Sequence, residues 1–126
     1  MRQAAAPTVL LVEDEVLISG LVAAALSEHG FIVHETATAD EALRYMHGGG
    51  EVDVLFTDVN LPGSINGAEL ASRARELRPD LPIVYASGRY QSTDIGKLVP
   101  RSVFVSKPYD PDEVGMLLTR LTERSH

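Results

Sequence analysis

The sequence has no cysteine among its 126 residues, so a disulfide framework and a thiolate metal site are both closed to it. Nothing therefore ties it to an oxidising compartment, and the cytoplasm is the expected location. It also lacks any apolar run near the roughly 18 residues that a membrane-spanning helix needs. The opening MRQAAAP carries one arginine with no long apolar region behind it, so no export signal is expected. Basic charge is scarce. Lys plus Arg number 11 against 18 Asp plus Glu, a formal net charge of −7, which omits the basic footprint of a nucleic-acid binder. Neither a membrane nor a nucleic acid is an expected direct partner.

What is present is enough apolar material, 44% of the chain, for one ordinary core. The expected organisation is a disordered lead over 1–7 and a single domain over 8–124. Short aliphatic runs alternate with helical patterns along it. The runs are TVLLV (8–12), FIVHE (31–35), VDVLFT (52–57), PIVYAS (82–87) and SVFVS (102–106), each of strand length. Between the first two, Leu17, Leu21, Ala24, Ala25 and Leu26 recur at helical spacing from Val16 and stop at Gly30. Thr38 with Glu41, Asn66 with Glu69, and Asp110 with Pro111 and Glu113 have the spacing of helix N-termini. The stretch GRYQSTDIGKLVP (88–100) is a weak or irregular helix at best, since Gly96 and Pro100 leave little room. Such alternation predicts an α/β domain with a parallel sheet, strands too apolar to keep a solvated face, and helices on both sides. Ligands of such sheets gather outside the carboxyl ends of the strands.

Those ends carry Glu13-Asp14-Glu15 after the first strand, Asp58 after the third, Ser87-Gly88 after the fourth and Lys107 after the fifth. Taken singly each has a plain reading: Asp after a strand is commonly a turn or cap, Ser-Gly a turn, Lys-Pro a loop. Falling in order at four strand ends, they point to chemistry. Two carboxylates about 4 Å apart repel by about 4 kcal/mol at an effective dielectric of 20, so something positive must offset them. Lys107 supplies one charge. A hard divalent cation with oxygen ligands, Mg²⁺, supplies two more and commonly binds together with a phosphate. In that setting Asp58 is a candidate nucleophile that forms an acyl phosphate. Lys107 and the metal then neutralise the transferring group, and Ser87 donates to it.

The order VEDE, FTDVNLPG with a following NG, YASG and VSKP resembles the receiver domain of two-component response regulators over essentially the whole chain. The resemblance implies a flavodoxin-like (βα)5 three-layer sandwich with a five-stranded parallel sheet in the order 2-1-3-4-5. It implies that Asp58 accepts a phosphoryl group from a histidine kinase or histidine phosphotransfer protein. Mg²⁺ (or Mn²⁺) would be held by Asp14 directly, Glu13 through water, Asp58 and the backbone carbonyl of Asn60. Ser87, Lys107 and the backbone of Gly88 would contact the phosphate. Phe104, three before Lys107, stands where the family carries its aromatic switch, which turns inward as the hydroxyl residue moves and so changes the surface around the last strand and its flanking helices. A plain core aromatic is the competing reading of Phe104. Asn60 and Arg89 fall where the family tunes phosphoryl lifetime, and Arg89 is expected to reach the phosphoryl group or an acidic residue of a partner.

The sequence departs from the family in three places. The turn between Pro62 and Gly67 is one residue longer than usual. YASGRY (85–90) resembles the Phe-Ala-Thr-Gly-x-Tyr signature of a subset of mostly single-domain receivers, with Tyr and Ser in place of Phe and Thr. LVPR replaces a common Gly-Ala pair before the fifth strand, and Pro100 removes a backbone donor there. Gly88, without a side chain, is expected to leave the site open to water and small donors. The expected role is a phosphorelay receiver, in a complete single-domain chain, that is no enzyme beyond Mg²⁺-dependent self-phosphorylation and dephosphorylation. The rivals are a receiver-like binding module that is never phosphorylated and a small aspartate-nucleophile phosphatase. The latter is disfavoured because Asn60 stands where such enzymes place a second, proton-donating Asp.

Overall fold

The computed structural model describes residues 6–88 and 98–123. Its strands are β1 (Thr8–Val12), β2 (Ile32–Thr36), β3 (Val54–Asp58), β4 (Ile83–Ser87) and β5 (Ser102–Ser106). Its helices, among the described residues, are α1 (Val16–Glu28), α2 (Ala39–His47), α3 (Gly67–Leu77) and α4 (Pro111–Thr122). The strands form one parallel sheet in the order β2-β1-β3-β4-β5. The expected sheet is therefore the observed one. The weak helix expected within 88–100 lies largely outside the described residues.

Alternation along the strands divides the core in two. Leu10, Val12, Leu55, Ile83 and Tyr85 face a cluster built with Ala42, Leu43 and Met46 of α2 and Leu70, Ala71 and Ala74 of α3. Val9, Leu11, Val54, Phe56, Val84 and Ala86 face the opposite cluster, with Val22 and Leu26 of α1 and Val114 and Leu118 of α4. A period of two in the strands against roughly 3.6 in the helices gives three layers. β1, β3 and β4 are buried along their whole length, whereas the edge strands β2 and β5 are partly exposed. The expectation that no strand keeps a solvated face holds only for the interior three, because an edge strand lacks a neighbour on one side.

The helix starts follow the expected chemistry. The Thr38 hydroxyl accepts from Glu41 N at 3.1 Å, and the Glu41 carboxylate reaches back to Ala37 N at 2.7 Å. Asn66 Oδ1 accepts from Glu69 N at 2.9 Å, and Asp110 Oδ1 from Asp112 N at 2.9 Å ahead of Pro111 in the first turn. α1 is different. Of the apolar residues whose spacing marks it, Leu17 and Leu21 are 82% and 69% exposed, and its buried positions are Ser19, Val22, Ala23 and Leu26. The spacing identifies the helix and not its buried face, because apolar residues surround the axis and leave no polar stripe to orient it.

LVPR is held from three sides. Arg75 of α3 donates to the carbonyls of Leu81, Pro100 and Arg101 at 3.0, 2.9 and 3.1 Å. The hydroxyl of Tyr85, wholly buried in β4, accepts from Val99 N at 3.1 Å, and Ser102 Oγ donates to Val99 O at 2.7 Å. The donor lost at Pro100 is offset by side-chain hydrogen bonds to the carbonyls around it.

Candidate functional site

The strand order reverses direction between β1 and β3, and this opens the crevice at their carboxyl ends. Backbone pairing runs one residue past the strands and fixes what lies there. Glu13 N donates to Thr36 O at 3.0 Å, Val59 N to Ala86 O at 2.9 Å and Lys107 N to Ser87 O at 2.9 Å. Asp58, the last residue of β3, is only 6% exposed. Burial of Val54, Leu55 and Phe56 thus holds a carboxylate at the rim without letting it swing into water.

Lys107 Nζ lies 2.9 Å from Asp58 Oδ1 and 3.5 Å from Glu13 Oε1. Glu13 is buried, and its other carboxylate oxygen accepts from Glu15 N at 3.0 Å. Asp14 is exposed. Carboxylate oxygens of Glu13, Asp14 and Asp58 all lie within 4.8 Å of one another, an all-oxygen donor set that fits a hard divalent cation. The Asp58 carboxyl is pushed up to about 7, first by burial and then by the Glu13 charge, against the hydrogen bond and charge of Lys107 that favour its anion. Burial works against the Lys107 ammonium. The hydrogen bond and charge of Asp58 and the charge of Glu13 outweigh it and raise its pKa. A net negative charge is concentrated in a small, largely dry volume, and one ammonium does not cancel it.

Residues 9–119 match the response regulator receiver domain. The chain belongs to the receiver-domain family. It is 33% identical over 121 residues to a sensor kinase CckA of Brucella abortus, which covers 93% of this chain and 13% of that protein. It is 34% identical over 118 residues to the transcriptional regulatory protein TcrA of Mycobacterium tuberculosis, covering 92% of this chain and 46% of that protein. The chain thus spans less than half the length of either relative. Among solved structures it is similar to a response regulator receiver protein from Sinorhizobium medicae, with a TM-score of 0.87 at 28% identity over 93% of this chain and 94% of that one. It is also similar to the receiver domain of the hybrid histidine kinase CckA, with a TM-score of 0.76 at 28% identity over 92% and 99% of the two chains.

In this receiver domain the fold brings Glu13, Asp14, Asp58 and Lys107 together. Ser87 is the buried last residue of β4, with its carbonyl tied to Lys107 N. Phe104 is half-buried in β5 at the margin of the α2–α3 core cluster. Asn60 is exposed just beyond β3, and Gly88 is exposed beside Lys107. Arg89 lies outside the described residues.

Two residues at the site carry weight that their sequence positions do not announce. Gly67 opens α3 with its N–H on Val59 O at 2.8 Å, and a methyl group there would collide with the carbonyl oxygen of Asp58. The helix therefore abuts the backbone of the candidate phosphoacceptor, and only glycine permits it. The Asn-Gly pair was the available signal, and it reads equally well as a simple helix start. Tyr109 packs edge-on against Phe56 with ring centroids 5.6 Å apart. Its phenol is pushed up to about 12, by burial first and then by the charges of Glu13 and Asp58, and so stays neutral beside them.

Proposed function

We propose that this chain is the phosphoacceptor of a two-component phosphorelay and that Asp58 takes the phosphoryl group from a histidine kinase or histidine phosphotransfer protein. The observation that carries the reading is the buried Asp58 carboxylate within 2.9 Å of the Lys107 ammonium and within 4.8 Å of the Glu13 and Asp14 carboxylates. Glu13, Asp14, Asp58 and the backbone carbonyl of Asn60 would hold Mg²⁺ or Mn²⁺. When bound, the ion supplies the positive charge that the site lacks and neutralises oxygens of the transferring group. An Asp58 oxygen attacks phosphorus as the bond to the donor nitrogen breaks, giving an acyl phosphate. Lys107 then exchanges its carboxylate partner for a phosphoryl oxygen, and Ser87 and the Gly88 N–H donate to the others.

The donor needs a surface on which to dock, and α1 offers one beside the site. Its residues carry no charge before Glu28, and Val16 and Leu17 are 81% and 82% exposed. A helix apolar on its outer side suits a partner helix carrying the donor histidine. Output follows from Ser87 moving onto the phosphoryl group and Phe104 turning into the space it leaves, a two-state element biased by a local change of charge. Asn60 and Arg89 set the lifetime of the phosphoryl group; if Arg89→Ala changes neither dephosphorylation nor transfer, Arg89 has no such role.

The test is intact mass after incubation with Mg²⁺ and acetyl phosphate, for wild type and Asp58→Asn. Wild type gains one phosphoryl group and the variant none. An adduct that persists in the variant overturns Asp58 as acceptor, and no adduct from either acetyl phosphate or a panel of histidine kinases leaves the binding-module reading in its place.

A further inference from the structure

A groove of 520 Å³ opens beside the site and plays no part in the chemistry above. Ile18, Leu21 and Val22 of α1 form one wall, and Pro108, Tyr109 and Pro111 form the other. Its remaining lining is Gly88 and Lys107, the latter with its ammonium on Asp58. Among the described residues no carboxylate lines it. The lining they form is largely apolar, and the groove borders the phosphoryl site at Lys107. Nothing projects from position 88 across that junction, where even a methyl group would already touch Lys107 Cβ at 3.6 Å.

We propose that this groove is a leaving-group subsite, through which the chain accepts phosphoryl groups directly from aroyl phosphates, mixed anhydrides of phosphate with a flat apolar carboxylic acid, in preference to acetyl phosphate. The proposal rests on Asp58 being the phosphoacceptor. What lies in the groove must be joined to phosphorus by a short link, because the same lysine lines both places. Two prolines and the Tyr109 ring present flat apolar faces suited to an aromatic ring, and the neutral phenol sets no anion against the departing group. The reaction balances without a proton. An Asp58 oxygen forms its bond to phosphorus, the bond from phosphorus to the acyl oxygen breaks, and the electron pair leaves with the arenecarboxylate. A carboxylate is stable as the anion, so its departure needs no general acid.

The experiment compares acetyl phosphate with benzoyl phosphate as donors to the full chain with Mg²⁺, following the Asp58 adduct by mass. The expected result is a half-saturating benzoyl phosphate concentration about tenfold lower, equivalent to about 1.4 kcal/mol. Leu21→Ser, at an exposed position that does not hold the fold, should reduce the preference below twofold. Met116→Ser, another exposed apolar position, on α4 and not among the groove residues, should keep it. Independently of transfer, benzoylphosphonate, which cannot donate, should shift the methyl resonances of Ile18, Leu21 and Val22 in protein with Mg²⁺. Equal half-saturation by the two donors, a preference that survives Leu21→Ser, or unmoved methyl resonances overturns the subsite while leaving Asp58 as acceptor. Failure of both donors where a histidine kinase still gives the adduct overturns the subsite alone; failure of both donors and of the kinases overturns the phosphoacceptor reading and the subsite with it.

Discussion

The two ends of the sheet use charged residues in opposite ways. At the amino end Asp53 and Arg78 are matched to backbone: Asp53 Oδ2 accepts from Thr8 N at 2.7 Å, and Arg78 donates to the carbonyls of Gly50 and Val52 at 2.9 and 3.4 Å. Arg75 does the same for the approach to β5. At the carboxyl end Asp58, Glu13 and Lys107 face chiefly one another, and the balance is negative. Charges that staple loops find neutral dipoles and stop there. The charges proposed to bind a cation and a phosphoryl group are left facing one another, and this costs stability.

Several substitutions would break or sharpen that contrast. The largest stability effect is expected at Gly67→Ala, where the added methyl must push α3 off the Asp58 carbonyl; denaturant melts should register a loss of about 3 kcal/mol. Lys107→Met should slow adduct formation by on the order of 100-fold while the melting curve moves little, since the Lys107 side chain is partly exposed and Asp58 can take up a proton when it loses this partner. A comparable loss of stability with full phosphorylation would instead place Lys107 among the staples.

Next comes pH. Folding raises the Asp58 carboxyl from 3.8 to about 7, so the protonated form favours the native state. That contribution is complete below the unfolded value and is lost as pH rises through about 7. Metal-free protein should therefore lose about 2 kcal/mol between roughly pH 5 and pH 8, and Asp58→Asn should flatten the profile. Mg²⁺ should bind more weakly as pH falls below about 7, because it competes with that proton. A profile unchanged by Asp58→Asn would assign the titration to another group. The smallest effect belongs to the amino end: Arg78→Met should cost about 1 kcal/mol, with adduct formation unaltered. If it slows phosphorylation, the two ends are not separable.

Much of this was readable before any coordinates. β1, β3 and β4 are continuous apolar runs because both faces of an interior parallel strand are covered, so their ends, with the acids at β1 and β3 and the hydroxyl at β4, are legible in the sequence. The caps at Thr38, Asn66 and Asp110 were equally plain, since capping is a matter of three or four neighbouring residues. α1 was legible as a helix and illegible as to face: Val16, Leu17 and Leu21 look like core residues, and only the packing of Ser19, Val22 and Leu26 against the sheet turns them outward. Nothing in the local sequence marks Arg75 and Arg78, because their partners are backbone carbonyls up to 28 residues away.

Local order along the chain was enough to specify the alternation of strands and helices and the family, and to single out Glu13, Asp14, Asp58, Ser87 and Lys107 as candidates, because each depends on residues adjacent in sequence or on their order at strand ends. Distances were not in it. That Lys107 reaches Asp58 and Glu13, that Gly67 abuts the Asp58 carbonyl, and that a groove joins α1 to Tyr109 follow from three-dimensional packing of segments up to 94 residues apart. Such contacts arise from the closing of the sheet and its two helix layers, and no short-range pattern encodes them.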